Sequence, residues 1–466
     1  MELLPFSVIN RYLSERLLKS NRYSGKEFSF LKVFQHGISF ALTRNQKKLI
    51  RNYIGWPIWA QQLLYYIKSK KEQAKRKQTP QLNEIVILDQ GRAVRDEEGQ
   101  WHSIYFDRIA SMIPRASLTI IATQRLDLIA YDFALRSIPD HHPSLDDKEL
   151  FMLKEIKASL VNARQSRQFT SEELDYIQAS LHVFFVEFRR YYQLFKNQKT
   201  KRVIFTCHYH NEGLIAALKM LKIECVEIQH GLIAKNDMYY VYHEQFAHAI
   251  SRGFFPDKIV VYGQYWKGIL EAGCEFRSHQ ILIGGDYLFR LKNTSYVGVP
   301  KENLVVICSQ KNLHEDYVTY GRMMAKYLKA HPDWKCIIKL HPLEQNKQAY
   351  DCLKELGLEI ADVEVPLDSL LTRCKLQISI YSTTFFDALG MDVVNLSLQH
   401  FGNMSDYARD VVEEKVAIGI SAEEDPIAKF LKTDAAEFQK QMMHRHEVYA
   451  PINEKLIRET VLGGIE

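Results

Sequence analysis

No window of this chain approaches the roughly 18 uncharged apolar residues of a membrane span, so no transmembrane helix is expected. The opening stretch, MELLPFSVINRYLSERLLKS, lacks the long apolar centre of a secretory leader. Cysteine is scarce: seven residues in 466, an odd number, with no C-x-x-C pair. A disulfide framework and a zinc ribbon are therefore not expected, and a reducing, cytoplasmic setting is. The phosphate-cradling patterns G-x-x-x-x-G-K-[ST] and G-x-G-x-x-G are missing, and with them the usual support for ATPase or dinucleotide chemistry. No D-x-D occurs, which removes a common carboxylate pair for holding a divalent ion on a nucleotide diphosphate. The histidines of HEQFAH (243–248) are five apart, whereas a zincin needs i, i+4 on one helical face. His141–His142 and His208–Tyr209–His210 have no full ligand set around them and read as surface or core histidines. No metal or cofactor is expected. Charge of one sign is also lacking: 61 Lys and Arg against 56 Asp and Glu give +5, too little to indicate a nucleic-acid partner.

What is present is an ordinary globular balance, 46% hydrophobic and 25% charged, enough for a sizeable core. At 466 residues the chain should hold two or three domains. Tyr (25) and Phe (24) are abundant; aromatics suit sugar faces but fill cores more often.

Residues 1–80 read as a helical region apart from the rest. Within it IGWPIWAQQLLYYI (54–67) is followed by the basic residues Lys68, Lys70, Lys71, Lys75, Arg76 and Lys77. Aromatic-apolar then polybasic is the pattern of a segment lying on an anionic inner-membrane surface. It is equally the pattern of a packed helix followed by a solvated linker. From 84 onward, short β-branched runs alternate with helical patterns, as buried parallel strands do. The first series is EIVILD (84–89), LTIIAT (118–123), RVIFTC (202–207), CVEIQ (225–229), KIVVYG (258–263) and ILIGG (281–285). A second follows: NLVVICS (303–309), KCIIKLH (335–341), LQISIYS (376–382), VVNLSL (393–398) and VAIGI (416–420). The expected fold is α/β, with two Rossmann-like doubly wound domains facing a cleft, at 81–292 and 293–440, and a C-terminal helix in 441–466.

Ligands of doubly wound sheets bind outside the carboxyl ends of the strands, and three features stand there. In Gln229–His230–Gly231 the imidazole could take a proton near neutral pH, and the glycine would permit an unusual turn. A structural strand-end histidine would look the same. In Lys339–Leu340–His341–Pro342, His341 ends a strand that Pro342 stops, and could face a phosphate. In Ser382–Thr383–Thr384, hydroxyls and backbone amides at a helix start could bind an anion or simply cap the helix. Asp387, in the first turns, reads as structural. A base in one domain and a phosphate site in the other is what group transfer needs.

The ordered set Q-H-G (229–231), V-Y-G-Q-Y-W-K-G-I-L (261–270), K-L-H-P (339–342) and Y-S-T-T-F-F-D-A-L-G (381–390) resembles bacterial capsule and lipopolysaccharide glycosyltransferases of the GT-B fold. It is similar also to CDP-glycerol glycerophosphotransferases and to CMP-sugar transferases with a His-Pro motif. The resemblance covers roughly 84–420. It implies that His341, with Pro342, Ser382, Thr383 and Thr384, contacts donor phosphate, that Glu344 reaches ribose hydroxyls, and that His230 is the acceptor-side base. Asp89, in Asp89–Gln90–Gly91, is similar to the acidic base of some sialyltransferases, although Gln90 departs from that motif. Ile380 stands where glycerophosphotransferases carry Asp, and Leu232 where they carry Thr. Gly284–Gly285–Asp286 stands where related chains carry Gly-Asn-Pro. The resemblance thus implies a metal-independent enzyme moving a sugar, CMP- or CDP-linked rather than UDP-linked, onto a glycan or lipid-linked glycan. Glycerophosphate transfer, a non-catalytic glycan-assembly role and a nucleotide-sugar epimerase, which can share the two-domain architecture, are the alternatives.

Overall fold

The computed structural model describes residues 20–23 and 26–29 and, with short breaks, 81–122, 133–134, 184–241, 255–288, 300–401, 411–433 and 447–465. In the amino-terminal region, expected to be helical, the described residues 20–23 and 26–29 are strands. β1 (Ser20–Tyr23) pairs antiparallel with β2 (Lys26–Ser29). Only Ser24–Gly25 separates them, and a Ser-Gly dipeptide is a turn signal that local helical periodicity cannot override. The aromatic stretch 54–67 and the basic run after it lie outside the described residues.

The chain divides into two compact units, residues 1–291 with 452–466, and residues 292–451. In the first, β3 (Ile85–Asp89) is followed by the antiparallel hairpin β4 (Ala93–Arg95) and β5 (Trp101–Ser103) and by one helical turn, α1 (Asp107–Ala110). Then come β6 (Leu118–Ala122), β7 (Phe133–Ala134), β8 (Arg202–Phe205), α2 (Glu212–Leu221), β9 (Glu224–Ile228), β10 (Lys258–Val261), α3 (Gln264–Ala272) and β11 (Ile281–Ile283). The seven strands β3 and β6–β11 pair in the order β11-β10-β9-β8-β3-β6-β7, all parallel. The winding reverses between β3 and β8, which makes that pair the topological switch point. β3 is buried at all five residues, as a central strand covered on both faces must be.

The second unit runs β12 (Glu302–Cys308), α4 (His314–Ala330), β13 (Lys335–Lys339), α5 (Asp351–Lys354), β14 (Glu359–Ala361), α6 (Leu367–Leu371), β15 (Cys374–Ser379), α7 (Thr384–Leu389), β16 (Val394–Leu398), β17 (Ile418–Ile420) and α8 (Pro426–Lys432). Its strands lie in the order β14-β13-β12-β15-β16-β17, again parallel, with the reversal between β12 and β15. Alternate residues feed two cores. Val305 and Ile307 of β12 join Leu376 and Ile378 of β15 on one face, whereas Leu304, Val306 and Cys308 pack with Leu371 and Ala388 on the other. Period-2 alternation with both faces apolar is the signature of a doubly wound sheet.

Both units thus have the Rossmann-like winding, and each expected apolar run contains a strand. The expected helix at 315–330 is α4; the one at 345–356 is a 3-10 turn (Lys347–Tyr350) running into α5. The last helix, α9 (Glu454–Leu462), returns to the first unit. Arg202 donates from its guanidinium to the carbonyls of Val461 (2.6 Å) and Gly463 (3.0 Å), and Asn453 N donates to the Gly284 carbonyl (2.9 Å). A cation on the last carbonyls satisfies groups that the helix itself cannot. Gly284 leaves no room for a side chain, since a Cβ would stand 2.5 Å from Val260, and Gly285 has φ +80°. No helix among the described residues is long and apolar enough to cross a membrane.

Candidate functional site

In the first unit the expected residues gather at the carboxyl edge of β3, β8 and β9. Asp89 is the last residue of β3, at the switch point, and is buried. His230 follows β9 and is half-exposed. Its neighbour Gln229 is fully buried and acts as a clamp. The Gln229 side chain accepts from Tyr262 N (3.0 Å) and donates to the Gly231 carbonyl (2.8 Å). The Gln229 carbonyl accepts from the hydroxyls of Tyr262 (2.8 Å) and Tyr287 (2.9 Å). The backbone carrying His230 is therefore held from β10 and from the segment after β11 at once. Gly231 corrects an expectation: it is not among the positive-φ glycines, and a Cβ there would meet nothing within 4 Å. The Gln229 bonds, not glycine's conformational latitude, shape this turn.

Beneath the turn lies a buried charge network that sequence reasoning missed. β8 ends at Phe205, two residues earlier than its apolar run suggests, because Cys207 adopts a left-handed conformation (φ 61°, ψ 67°) that no strand can include. His208 and Glu227, both fully buried, then pair at 2.5 Å between Nδ1 and Oε2. The other ring nitrogen of His208 is 2.9 Å from the Tyr239 carbonyl. Carboxylate and carbonyl both accept, so His208 is placed to donate from both ring nitrogens. Tyr240 donates to the second Glu227 oxygen (2.7 Å). Burial pushes the Glu227 carboxyl up, but the His208 charge and the bonds from His208 and Tyr240 outweigh it and hold it below its ordinary value. No sequence motif announces this pair, since the two residues lie on different strand ends and meet only across the sheet.

The network fixes the 208–210 turn against β9 and so brings two more side chains to His230. Cys207 Sγ and Tyr209 Oη each lie 3.2 Å from His230 Nε2. Tyr105 packs edge-on against the His230 ring, centroids 6.2 Å apart.

In the second unit the ends of β13 and β15 carry the remaining expected residues, on either side of the end of β12. His341 follows β13, half-exposed, and its backbone N donates to Ser309 Oγ (2.9 Å), just past β12. Glu344 N donates to the His341 carbonyl (2.9 Å), closing a β-turn with Pro342 exposed at its second position, where fixed φ is favourable. Glu344 is buried and engaged within its own loop, accepting from Asn346 N (2.9 Å) and from Tyr350 Oη (3.4 Å). Lys339, at the end of β13, donates to the Asp362 carbonyl (2.6 Å), and burial lowers its pKa.

Gln310, just past β12, acts as a brace that the sequence did not reveal: its Oε1 accepts from Tyr317 Oη (2.8 Å) and from Tyr381 N past β15 (3.0 Å). Ser382 and Thr384 are half-exposed and Thr383 is exposed. Ser382 Oγ accepts from Thr384 N (3.3 Å) and Thr384 Oγ1 (2.9 Å), while Gln377 Nε2 donates to Thr384 Oγ1. With its oxygen accepting twice, Ser382 still has a proton to donate. α7 spans six residues, so its dipole is short, and hydroxyls and backbone amides are the larger part of any anion-binding capacity here. Asp387 accepts from Tyr449 Oη (3.4 Å).

No protein-family model matches the chain, and no curated protein matches it by sequence. Solved structures do. The chain is similar to MnaA of S. aureus in a co-structure with UDP (TM-score 0.47, 12% identity, 82% of this chain and 96% of that one). It is similar to the glycosyltransferase SnogD from Streptomyces nogalater (TM-score 0.47, 14% identity, 82% and 99%) and to Acinetobacter baumannii MurG (TM-score 0.42, 10% identity, 82% and 99%). At such identities these are likenesses of chain architecture and assign no chemistry.

Proposed function

We propose that the chain is a glycosyltransferase that moves a sugar from a nucleotide-activated donor, CMP- or CDP-linked in preference to UDP-linked, onto a growing bacterial surface polysaccharide. The observation that carries this reading is the convergence, at the carboxyl edge of the second unit's sheet, of His341, Ser309 and Ser382–Thr384 on three adjacent strand ends. The edge beside a switch point is where doubly wound sheets take ligands. A half-exposed imidazole, the Ser382 hydroxyl and the turn amides offset donor phosphate charge without a divalent ion. Pro342 fixes the turn that presents His341, and Thr383 adds an exposed hydroxyl.

The acceptor belongs to the first unit. An acceptor hydroxyl attacks the anomeric carbon, the bond from that carbon to the phosphate oxygen breaks, and the nucleotide leaves with the electron pair. The hydroxyl proton passes to His230, which the Gln229 clamp holds in place. Half-exposed His230 is easier for a hydroxyl to approach than buried Asp89, the rival base.

Thermal shift with CMP, CDP, UDP, GDP and ADP, with and without chelator, tests the donor site. A nucleotide at 100 times its Kd stabilises by about 2.7 kcal/mol. A cytidine nucleotide should shift the wild type equally with chelator present, and should not shift His341→Ala. If no nucleotide shifts the protein, Ser382–Thr384 is only a helix cap and the proposal falls. Phosphorus found in the acceptor product would replace sugar transfer by glycerophosphate transfer.

A further inference from the structure

One group of side chains at the first unit's sheet edge has a geometry that sugar transfer does not require. Cys207 stands at the sharp turn between β8 and α2, beside the switch point, and is not disulfide-bonded. Asn211 Nδ2 donates to the carbonyls of Thr206 and Cys207, both at 3.0 Å, and fixes the turn that presents the thiol. The sulfur is 3.2 Å from His230 Nε2, within range of proton transfer between thiol and imidazole. Below the pair lies Glu227, fully buried, whose negative charge interacts favourably with a protonated His230. The titratable groups facing the pair are Tyr209 from the turn, Tyr105 from the β5–α1 segment, and Glu227 with its partners His208 and Tyr240. A thiolate beside an imidazolium is the arrangement that makes a cysteine nucleophilic.

We propose that Cys207 is a reactive thiol, activated by His230, and the site at which this protein takes soft carbon electrophiles. In the step, the Cys207 proton passes to His230 Nε2 and the thiolate attacks the electrophilic carbon. With a haloacetamide the S–C bond forms, the C–I bond breaks, iodide leaves with the bond's electron pair, and the imidazolium later returns its proton to water. Cys207 is itself buried, 6% exposed, and what sets it apart from the other described thiols is the imidazole beside it. Burial pushes Cys308 and Cys374 up to about 12 and raises Cys225 and Cys336 further, while Cys352 is half-exposed. Alkylation would also occupy the space beside His230 and stop transfer, a consequence that rests on the acceptor-side reading of His230. The labelling itself does not, so the two can fail separately.

The test is timed iodoacetamide labelling of the full chain at pH 7, read cysteine by cysteine by peptide mass spectrometry. Cys207 should label at least about tenfold faster than Cys352, since an ordinary thiol is only a few per cent thiolate at that pH. In His230→Gln the Cys207 rate should fall to that of Cys352 or below. Equal rates in the wild type, or a fast Cys207 rate retained in folded His230→Gln, overturn the proposal. Cys225, Cys308, Cys336 and Cys374 report whether the variant is folded. If they react together in His230→Gln, the wild-type ratio decides alone.

Discussion

Between His230 and Leu232, a methyl group added at Gly231 would enter open space. Gly231→Ala should therefore leave stability within about 0.5 kcal/mol of wild type. Equal melting temperatures would confirm that Gln229 and not Gly231 shapes the motif; a large loss would restore the glycine to that role. His102 carries a pH dependence of its own. Its ring lies between Asp107 (2.8 Å from Nδ1) and Asp96 (2.9 Å from Nε2), and when protonated it donates to both. Burial pulls its pKa down, but the bonds and charges of Asp96 and Asp107 outweigh burial and raise it. A raised folded value means the contribution is complete below about pH 6.5, the ordinary value, and is lost as pH rises through the folded one. Melting curves of wild type and His102→Gln between pH 5.5 and 8.5 should diverge most at the acid end. The candidate residues were legible in the sequence where a motif marked a strand end, as at His230 and His341. Cys207 and Glu227 were not. A non-glycine residue at positive φ has no local sequence signal, and the His208–Glu227 pair is created by strand pairing.

α2 begins against the helical segment 187–195, and Gly213 is the reason it can. A Cβ at Gly213 would stand 2.8 Å from Glu187 Cβ, from the Phe184 carbonyl oxygen and from Phe188 N. Two of those atoms are backbone and cannot turn aside. Gly213→Ala should lower stability by about 1–3 kcal/mol, although alanine is the better helix former by about 1 kcal/mol. A chemical-denaturation midpoint unchanged in Gly213→Ala would show that the two segments are not in register here. At this scale the sequence was most informative, because a buried parallel strand must be continuously apolar and β-branched, and runs such as EIVILD and NLVVICS have that pattern. β7 and β14, of two and three residues, fall below the length at which any periodicity can be counted. The β1–β2 hairpin was missed because its residues carry no alternating pattern.

Over the whole molecule, the carboxyl-terminal helix belongs to the unit that the amino-terminal half builds. Ile457 and Val461 are buried there, and Arg202 has two of its acceptors at the end of α9, on Val461 and on Gly463 just past it. Truncation after Pro451 leaves that guanidinium with Glu224 alone. Hydrogen exchange should then rise across residues 81–288 and stay unchanged across 300–433. A uniform rise would mean that the units do not hold their stability separately.

The return of α9 also gives the molecule an unusual covalent layout. The chain passes between the units twice, near 291 and near 451. A single cut at the first passage yields one piece that carries a whole second unit together with the helix that completes the other piece's fold. The two halves of such a nicked protein are complementing fragments. They should separate on a denaturing gel and migrate as one species on a native gel.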